Sequence, residues 1–496
     1  MNVVIPLLIG LPLLGAAVSL TFHGHLRAQR LFGGVVLTAK LALSILLLAW
    51  VSENGPISVE VGGWPAPIGI TLVADLFASL MLVVSDMMVL AVLLYAIGSP
   101  ATRDQVRFFH PIFLVLAAGV SASFLAGDLF NLFVAFEMML SASYVLLTLG
   151  GRLEQVKSGM TYVVISLLAS TLFVTVVALM YAATGTVNLA DLATRVPDLP
   201  GAIRAGLGLT LLVVFGIKAA IFPLFFWLPD SYPTTPTPVT AIFAGLLTKV
   251  GVYAIIRTQT LLFPSDGPST LLLTIAGATM LTGVIGAIAQ DEIKRILSFH
   301  IVSQIGYMIF GLGLFTIAGI AAGIFYIIHH IVVKTTLFLV GGLVETATGT
   351  GALHRLGGLV HSMPTTAALF LLPGLSLAGL PPLSGFVAKL ALVQEGLALD
   401  RNVVVAVSLL VSFLTLFSMM KIWSGVFWGT PDEEPPGPPK AEFGRISSKL
   451  AVLSTAALVI LSLGIAVAAG PAYDLAVRAA GQLVEPTTYE QLVLGS

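Results

Sequence analysis

The sequence contains no cysteine, and only 9% of its 496 residues are charged. Without cysteine there can be no disulfide, no thiolate-held iron-sulfur cluster and no cysteine nucleophile. Soluble domains carry about 25% charged residues, so a share this low excludes an ordinary water-soluble fold. The formal net charge of -1 excludes a basic nucleic-acid footprint. Long polar stretches are also missing: none exceeds about 30 residues, too few for a soluble domain of usual size. What is present is apolar. Hydrophobic residues make up 57% of the chain and the mean hydropathy is +1.03, as in a polytopic membrane protein.

Windows of about 20 apolar residues give about 14 spans. They lie near 2–22, 31–51, 69–97, 111–127, 129–149, 160–182, 206–229, 239–263, 270–289, 299–317, 319–344, 366–398, 402–428 and 450–470. Arg27 and Arg30 follow the first apolar run and no basic residue precedes it, the wrong order for a cleaved signal peptide. Alternate loops hold Arg27, Arg30, Arg103, Arg107, Arg152, Lys157, Lys294, Arg295, Arg355, Lys440, Arg445 and Lys449. The opposite set holds only Arg195, Arg204, Arg401 and Arg478. This bias of about three to one puts the first set in the cytoplasm and both termini outside. The stretch 430–440, TPDEEPPGPPK, reads as a semi-rigid connector before the last span.

Two spans are punctuated by proline and each carries a lysine. One stretch runs from Val214 to Val239 with Lys218, the other from Leu371 to Leu390 with Lys389. Proline removes a backbone donor and clashes with the preceding turn, so both are expected to be broken helices. Spans 7 and 12 are five apart, and repeats of an odd number of helices insert in opposite senses. Spans 4–8 and 9–13 are therefore the expected inverted five-helix repeats. The corresponding divisions are 1–110 for peripheral helices, 111–263 and 264–428 for the repeats, and 429–496 for the connector, the last span and a short external tail.

Glu137, Lys218, Lys249 and Lys334 fall near the middle of their spans, and the unwound 381–385 brings Lys389 toward the same depth. A central Lys or Asp costs about 2.5 to 3.5 kcal/mol even on modest insertion scales, so these groups need partners or water. Glu137 is alone on its helix and Lys218 is the obvious counter-ion, as a static pair or as a switch. His330 and Lys334 are four apart on one helical face with His329 beside them. Imidazole both accepts and donates a proton, which suits a relay between lysines; a packing role is the alternative. No carboxylate or cysteine set matches these histidines for a metal, and no cofactor motif is present. Lys40 and Asp86 are expected to pair, Asp75 and Arg257 to snorkel from span ends, and Glu345 and Glu395 to flank a way in or out. Lys294 and Arg295, with His300 and Gln304 following, read as topogenic charge at a cytoplasmic mouth that could also take up protons.

The segments FEMMLSASYVLL, FGIKAAIFPLFFWLPDSYPTTPTPVTAIFAGLLTKVGVYAIIR, DEIKRILSFHIVSQIGYM, IIHHIVVKTTLFLVGG and LPPLSGFVAK resemble the proton-conducting antiporter-like family. This family includes the large subunits of Mrp-type sodium/proton antiporters, the antiporter-like subunits of respiratory complex I and related hydrogenase subunits. Within it, the chain most resembles the D-type branch of Mrp subunits. The resemblance implies an all-α bundle of 14 helices with inverted repeats, and proton roles for Glu137, Lys218, Lys249, His329, His330, Lys334 and Lys389. It also implies other membrane subunits as partners and a place in the cell membrane. A row of lysines repels Na+, and hard cations want several oxygens, so sodium is expected to cross elsewhere in such a complex.

Overall fold

In the computed structural model, which describes residues 1–22, 24–99, 108–265, 267, 269–431, 437 and 448–495, the chain is helical almost throughout. The helices are α1 (Val4–Thr21), α2 (Leu26–Asn54), α3 (Leu76–Gly98), α4 (Phe109–Leu125), α5 (Leu129–Thr148), α6 (Leu153–Thr184) and the short α7 (Leu189–Arg195). They continue as α8 (Gly201–Ala219), α9 (Thr237–Leu261), α10 (Thr270–Ile288), α11 (Ile293–Gly313) and α12 (Ile317–Thr348). The last are α13 (Pro364–Ala378), α14 (Ser384–Ala398), α15 (Asn402–Trp428), α16 (Ser448–Val467), α17 (Ala469–Val484) and α18 (Pro486–Leu494). Among the described residues, twelve of these are long and apolar enough to cross a membrane. The shorter α4 and the broken pair α13/α14 complete the set read from the sequence. Arg103, Arg107, Lys440, Arg445 and most of the proline-rich connector lie outside the described residues.

Small polar side chains fix where several spans begin. The Asp75, Asp128, Ser269 and Thr316 side chains each accept a backbone N–H from the first turn of α3, α5, α10 and α12. Between α2 and α3 the sequence placed the start of a span at 69; instead β1 (Ile57–Glu60) and β2 (Thr71–Ala74) form an antiparallel hairpin, with Ile57 opposite Ala74. Two further boundaries differ. α11 starts six residues earlier than expected, which draws Lys294 into its first turn. The tail is not a loose end: α17 and α18 fold back, and α17 buries Ala476, Ala479, Ala480 and Leu483 against the bundle.

Both proline-punctuated spans are broken. α8 ends at Ala219, Ala220 takes a left-handed conformation (φ 58°), and a short helix resumes at Trp227–Ser231. α13 ends at Ala378, Gly379 caps it in a left-handed conformation (φ 91°), and α14 begins at Ser384. α9 carries a third irregularity, a π-helical turn over Phe243–Leu247, which holds an extra residue per turn.

α12 is the hub, touching α3, α9, α11, α13, α14, α16 and α17. The apolar windows of α9 and α12 are buried throughout, whereas only a third of those in α1, α2 and α16 is. One turn occurs twice. After α6, Thr184 donates to the carbonyls of Met180 and Thr186, Gly185 is left-handed, and Asn188 N–H donates to the Thr186 hydroxyl. After α12, Thr348 donates to the carbonyls of Val344 and Thr350, Gly349 is left-handed, and Ala352 N–H donates to the Thr350 hydroxyl. Each turn bridges to the N-cap residue of the preceding helix, Asn188 to Asp128 before α5 and Ala352 to Glu292 before α11. The offset that carries Thr184 onto Thr348 also carries Tyr162, Ser166 and Ser170 of α6 onto Tyr326, His330 and Lys334 of α12.

Candidate proton axis

Glu137 on α5 and Lys218 in the last turn of α8 share no direct ion pair among the described residues, contrary to the expected contact. Ser170 of α6 stands between them. Its hydroxyl donates to Glu137 Oε1 and accepts from Lys218 Nζ at 3.3 Å, while Nζ also donates to the main-chain carbonyl of Ser166 at 3.1 Å. Lys218 is buried and Glu137 half-buried. A small cavity beside Lys218, lined also by Tyr162, Ser166, Trp227 and Leu247, leaves about 10 Å³ for the centre of a water-sized sphere. That is about the least that holds one water.

The other lysines use the helix irregularities. Lys249, two residues past the π-helical turn, donates to the carbonyl of Ala244 within it and to the Thr248 hydroxyl. Lys389 reaches back across the break to the carbonyls of Leu377 and Ala378, at 3.0 and 3.1 Å, and lies 4.6 Å from the centroid of the Tyr307 ring. Carbonyls at a helix C-terminus lack intrahelical donors and carry partial negative charge, so an ammonium is favoured there. Lys334 is different. It is fully buried, has no hydrogen-bond partner among the described residues, and faces the Phe338 ring at 5.8 Å.

His329 and His330 lie between these groups. His329 Nδ1 is 2.8 Å from the Ser384 hydroxyl at the start of α14, which neighbours Ser376 at 3.4 Å. His330 has no partner on either nitrogen among the described residues. Lys249 is within electrostatic reach of both His330 and Lys334, and Lys389 of His329. The unpartnered buried atoms His300 Nδ1, His329 Nε2, both His330 nitrogens, Lys334 Nζ and Thr335 Oγ1 gather around α11 and α12. Buried polar groups without protein partners are the ordinary lodging of internal water.

Several neighbours of this group, Tyr307, Tyr326, Ser408, Thr415 and Ser418, were not singled out from the sequence, whereas His300 and Gln304 were. Tyr326 donates to Gln304, Gln304 to Thr415 at 3.4 Å, and Tyr307 to the Ser408 carbonyl at 2.6 Å. His300 meets the Ser418 hydroxyl at 2.8 Å. His300 and Gln304 are therefore interior, not part of a surface charge cluster. The available signal was the four-residue spacing of Ser166 and Ser170, which puts two hydroxyl-bearing residues on one face of an apolar helix. Among the described residues no three His, Asp or Glu side chains come together as a metal set.

The lesser expectations resolve individually. Lys40 pairs with Asp86, which also accepts from Ser44 at 2.5 Å. Asp75 and Arg257 do not snorkel; they are buried and paired at 2.6 Å. Lys294 pairs with Glu345 at 2.6 Å, beside Glu292, whose carboxyl is raised above its ordinary range first by burial and then by Glu345. Glu395 accepts from the Thr316 hydroxyl at 2.6 Å.

Residues 126–415 match the family described as NADH:quinone oxidoreductase/Mrp antiporter, TM. The chain belongs to this family. It is 44% identical over 496 residues to the D-type subunit of the Na(+)/H(+) antiporter of Alkalihalophilus pseudofirmus, covering 99% of each chain. Its fold matches a chain of the Mrp complex from Dietzia sp. DQ12-45-1b with TM-score 0.91, 35% identity and full coverage of both. A chain of the membrane-bound sulfane sulfur reductase, an archaeal respiratory membrane complex, matches with TM-score 0.90, 27% identity and full coverage of both. The family segment holds all the lysines and histidines of the axis. The Lys40–Asp86 pair and the folded tail lie outside it.

Proposed function

We propose that this chain is the proton-carrying subunit of a multisubunit sodium/proton antiporter of the cell membrane, with both termini outside. The observation that carries this reading is the run of ionisable groups on adjacent elements, the half-buried Glu137 and the buried Lys218, Lys249, His329, His330, Lys334 and Lys389. Protons pass from the Glu137–Ser170–Lys218 group by way of Lys249 to His330 and Lys334, and from His329 through Ser384 toward Lys389, with water at the unpartnered atoms. The proposed divisions are 111–263 and 264–428, inserted in opposite senses. The repeated turn and the matching offset of Tyr162 and Tyr326 support them. Sodium crosses elsewhere in the complex, since the axis offers it lysines where it needs oxygens. The chain is a transporter component and no enzyme.

Substitution within the assembled complex tests this. Glu137→Ala, Lys218→Ala and Lys334→Ala are each expected to abolish sodium-driven proton exchange in vesicles while the complex still purifies intact. Ser170→Ala removes a charge-assisted hydrogen bond worth about 1.5 kcal/mol or more, so exchange is expected to fall roughly tenfold, with Ser170→Thr close to the parent. Full exchange in the Glu137 and Lys218 variants would refute the reading.

A second reading is favoured by the similarity to the archaeal respiratory complex: a non-redox subunit of an electron-driven proton pump. The composition of the complex isolated with this chain decides. Small hydrophobic subunits alone support the antiporter, and co-purifying iron-sulfur or flavin subunits support the pump.

A further inference from the structure

Lys249, Tyr253 and Arg257 recur every fourth residue of α9 and so share one face, rising about 12 Å from the axis toward the end of the bundle that carries the β1/β2 hairpin. A polar ladder leading from a buried lysine to the end of a membrane bundle is a potential second way out. Its chemistry makes it the reverse. The Tyr253 hydroxyl donates to the carbonyl of Phe124 at 2.7 Å and accepts from Arg257 at 3.0 Å. Arg257 pairs with Asp75, whose other oxygen accepts the Ala78 N–H at 2.8 Å. Three rings surround the guanidinium: Tyr253 at 5.4 Å, Tyr489 at 5.6 Å and Phe77 at 6.0 Å. None of Asp75, Tyr253 and Arg257 has an unpartnered buried polar atom, in contrast to the cluster around His330 and Lys334.

Guanidinium only donates and keeps its proton at any physiological pH, so it cannot take one from below and release it above. Its fixed positive charge also repels a hydrated proton, as arginines do in pores that exclude protons. Tyr489 belongs to α18, which is held by Ser58 donating to the Leu492 carbonyl at 3.1 Å. Gln482 of α17 accepts the Leu76 N–H at 3.0 Å and fastens the same region to α3. Lys389, by contrast, faces groups that can both donate and accept: the Tyr307 ring lies 4.6 Å away, and its hydroxyl is hydrogen-bonded to that of Ser412.

We propose that Arg257, locked to Asp75 and lidded by Tyr489, is a plug that closes the branch above Lys249, so that protons reaching Lys249 go on to α12 instead of leaking out. This rests on the axis proposed above. The test uses the whole complex in vesicles with an imposed pH gradient and no sodium, following its decay with a pH-sensitive dye. Tyr489→Leu keeps the bulk and removes the ring face. It is expected to assemble, to exchange within about twofold of the parent, and to leak protons about tenfold faster. Adding Lys249→Ala should return the leak to the parent rate. Arg257→Lys, which keeps the charge and loses the planar fork, should leak likewise and decides the matter if Tyr489→Leu fails to assemble. An unchanged leak in the assembled variants overturns the plug, as does a leak that survives Lys249→Ala. Lys249→Ala alone distinguishes the two ideas: retained sodium-driven exchange there would undo the axis itself, whatever the leak.

Discussion

A lysine ammonium carries three donors, and at bilayer depth each of them needs an acceptor. Lys218, Lys249 and Lys389 find main-chain carbonyls, two of them at helix irregularities, and Lys334 finds none among the described residues. Removing an unsatisfied group from a buried site relieves desolvation without orphaning a partner. Lys334→Met is therefore expected to leave the melting temperature of the complex unchanged or raised while exchange is lost, a combination that a structural lysine would not give. Asp128 offers a pH test away from the spans. Burial raises its carboxyl to about 6, more than its hydrogen bonds to the start of α5 lower it. A raised folded value means that its stabilising contribution is complete below about 4 and is lost as pH rises through about 6. Amide exchange at the 127–129 link should accelerate over that window, and Asp128→Asn, which still caps, should flatten the dependence. That these charged residues lie inside the bundle was legible because a charge in an apolar run is rare. Ser166, Ser170, Tyr307, Tyr326 and Ser384 were not, because hydroxyls are ordinary in such helices and only their neighbours give them a task.

Among the elements, the two broken spans were legible from proline, which leaves few alternatives to a helix break. The π-helical turn in α9 was not, since no residue in Phe243–Leu247 forbids a regular turn and tertiary packing sets it. The folding of the tail was not read either, although Ala476, Ala479, Ala480 and Leu483 recur at helical spacing and announce an apolar face. The break between α13 and α14 also carries a prediction. Gly379 is left-handed at φ 91°, and a Cβ placed there would lie 2.8 Å from Cδ of Lys389. Gly379→Ala is expected to cost about 1 to 2 kcal/mol from the backbone alone. It should also push Lys389 off the Leu377 and Ala378 carbonyls, so that exchange falls further than Ala substituted at an open helix-end glycine such as Gly151 would cause. Melting curves and vesicle exchange on the two variants give the comparison.

For the whole molecule, helix count carried most of the architecture, because lipid leaves helices as nearly the only option for a single chain of this composition. Lys40 of α2 and Asp86 of α3 join these two helices as a buried pair outside the family segment in sequence, and α3 itself is buried along nearly its whole length. Removing one partner of a buried pair strands the other, at about 3 to 5 kcal/mol, whereas replacing both with apolar residues of similar volume is often neutral. Asp86→Leu should thus lower the yield of assembled complex, and Lys40→Met with Asp86→Leu should recover it with normal exchange. If the double variant assembles and exchanges poorly, the pair serves transport.

The same threonine-glycine fastening closes both long helices, yet the positions it brings into correspondence are occupied by two serines on one side and by a histidine and a lysine on the other. A perfectly matched pair of halves would have no built-in sense of forward and back. If the proposed halves and proton roles hold, matching turns with unlike residues between them give the chain a polarity along its own length.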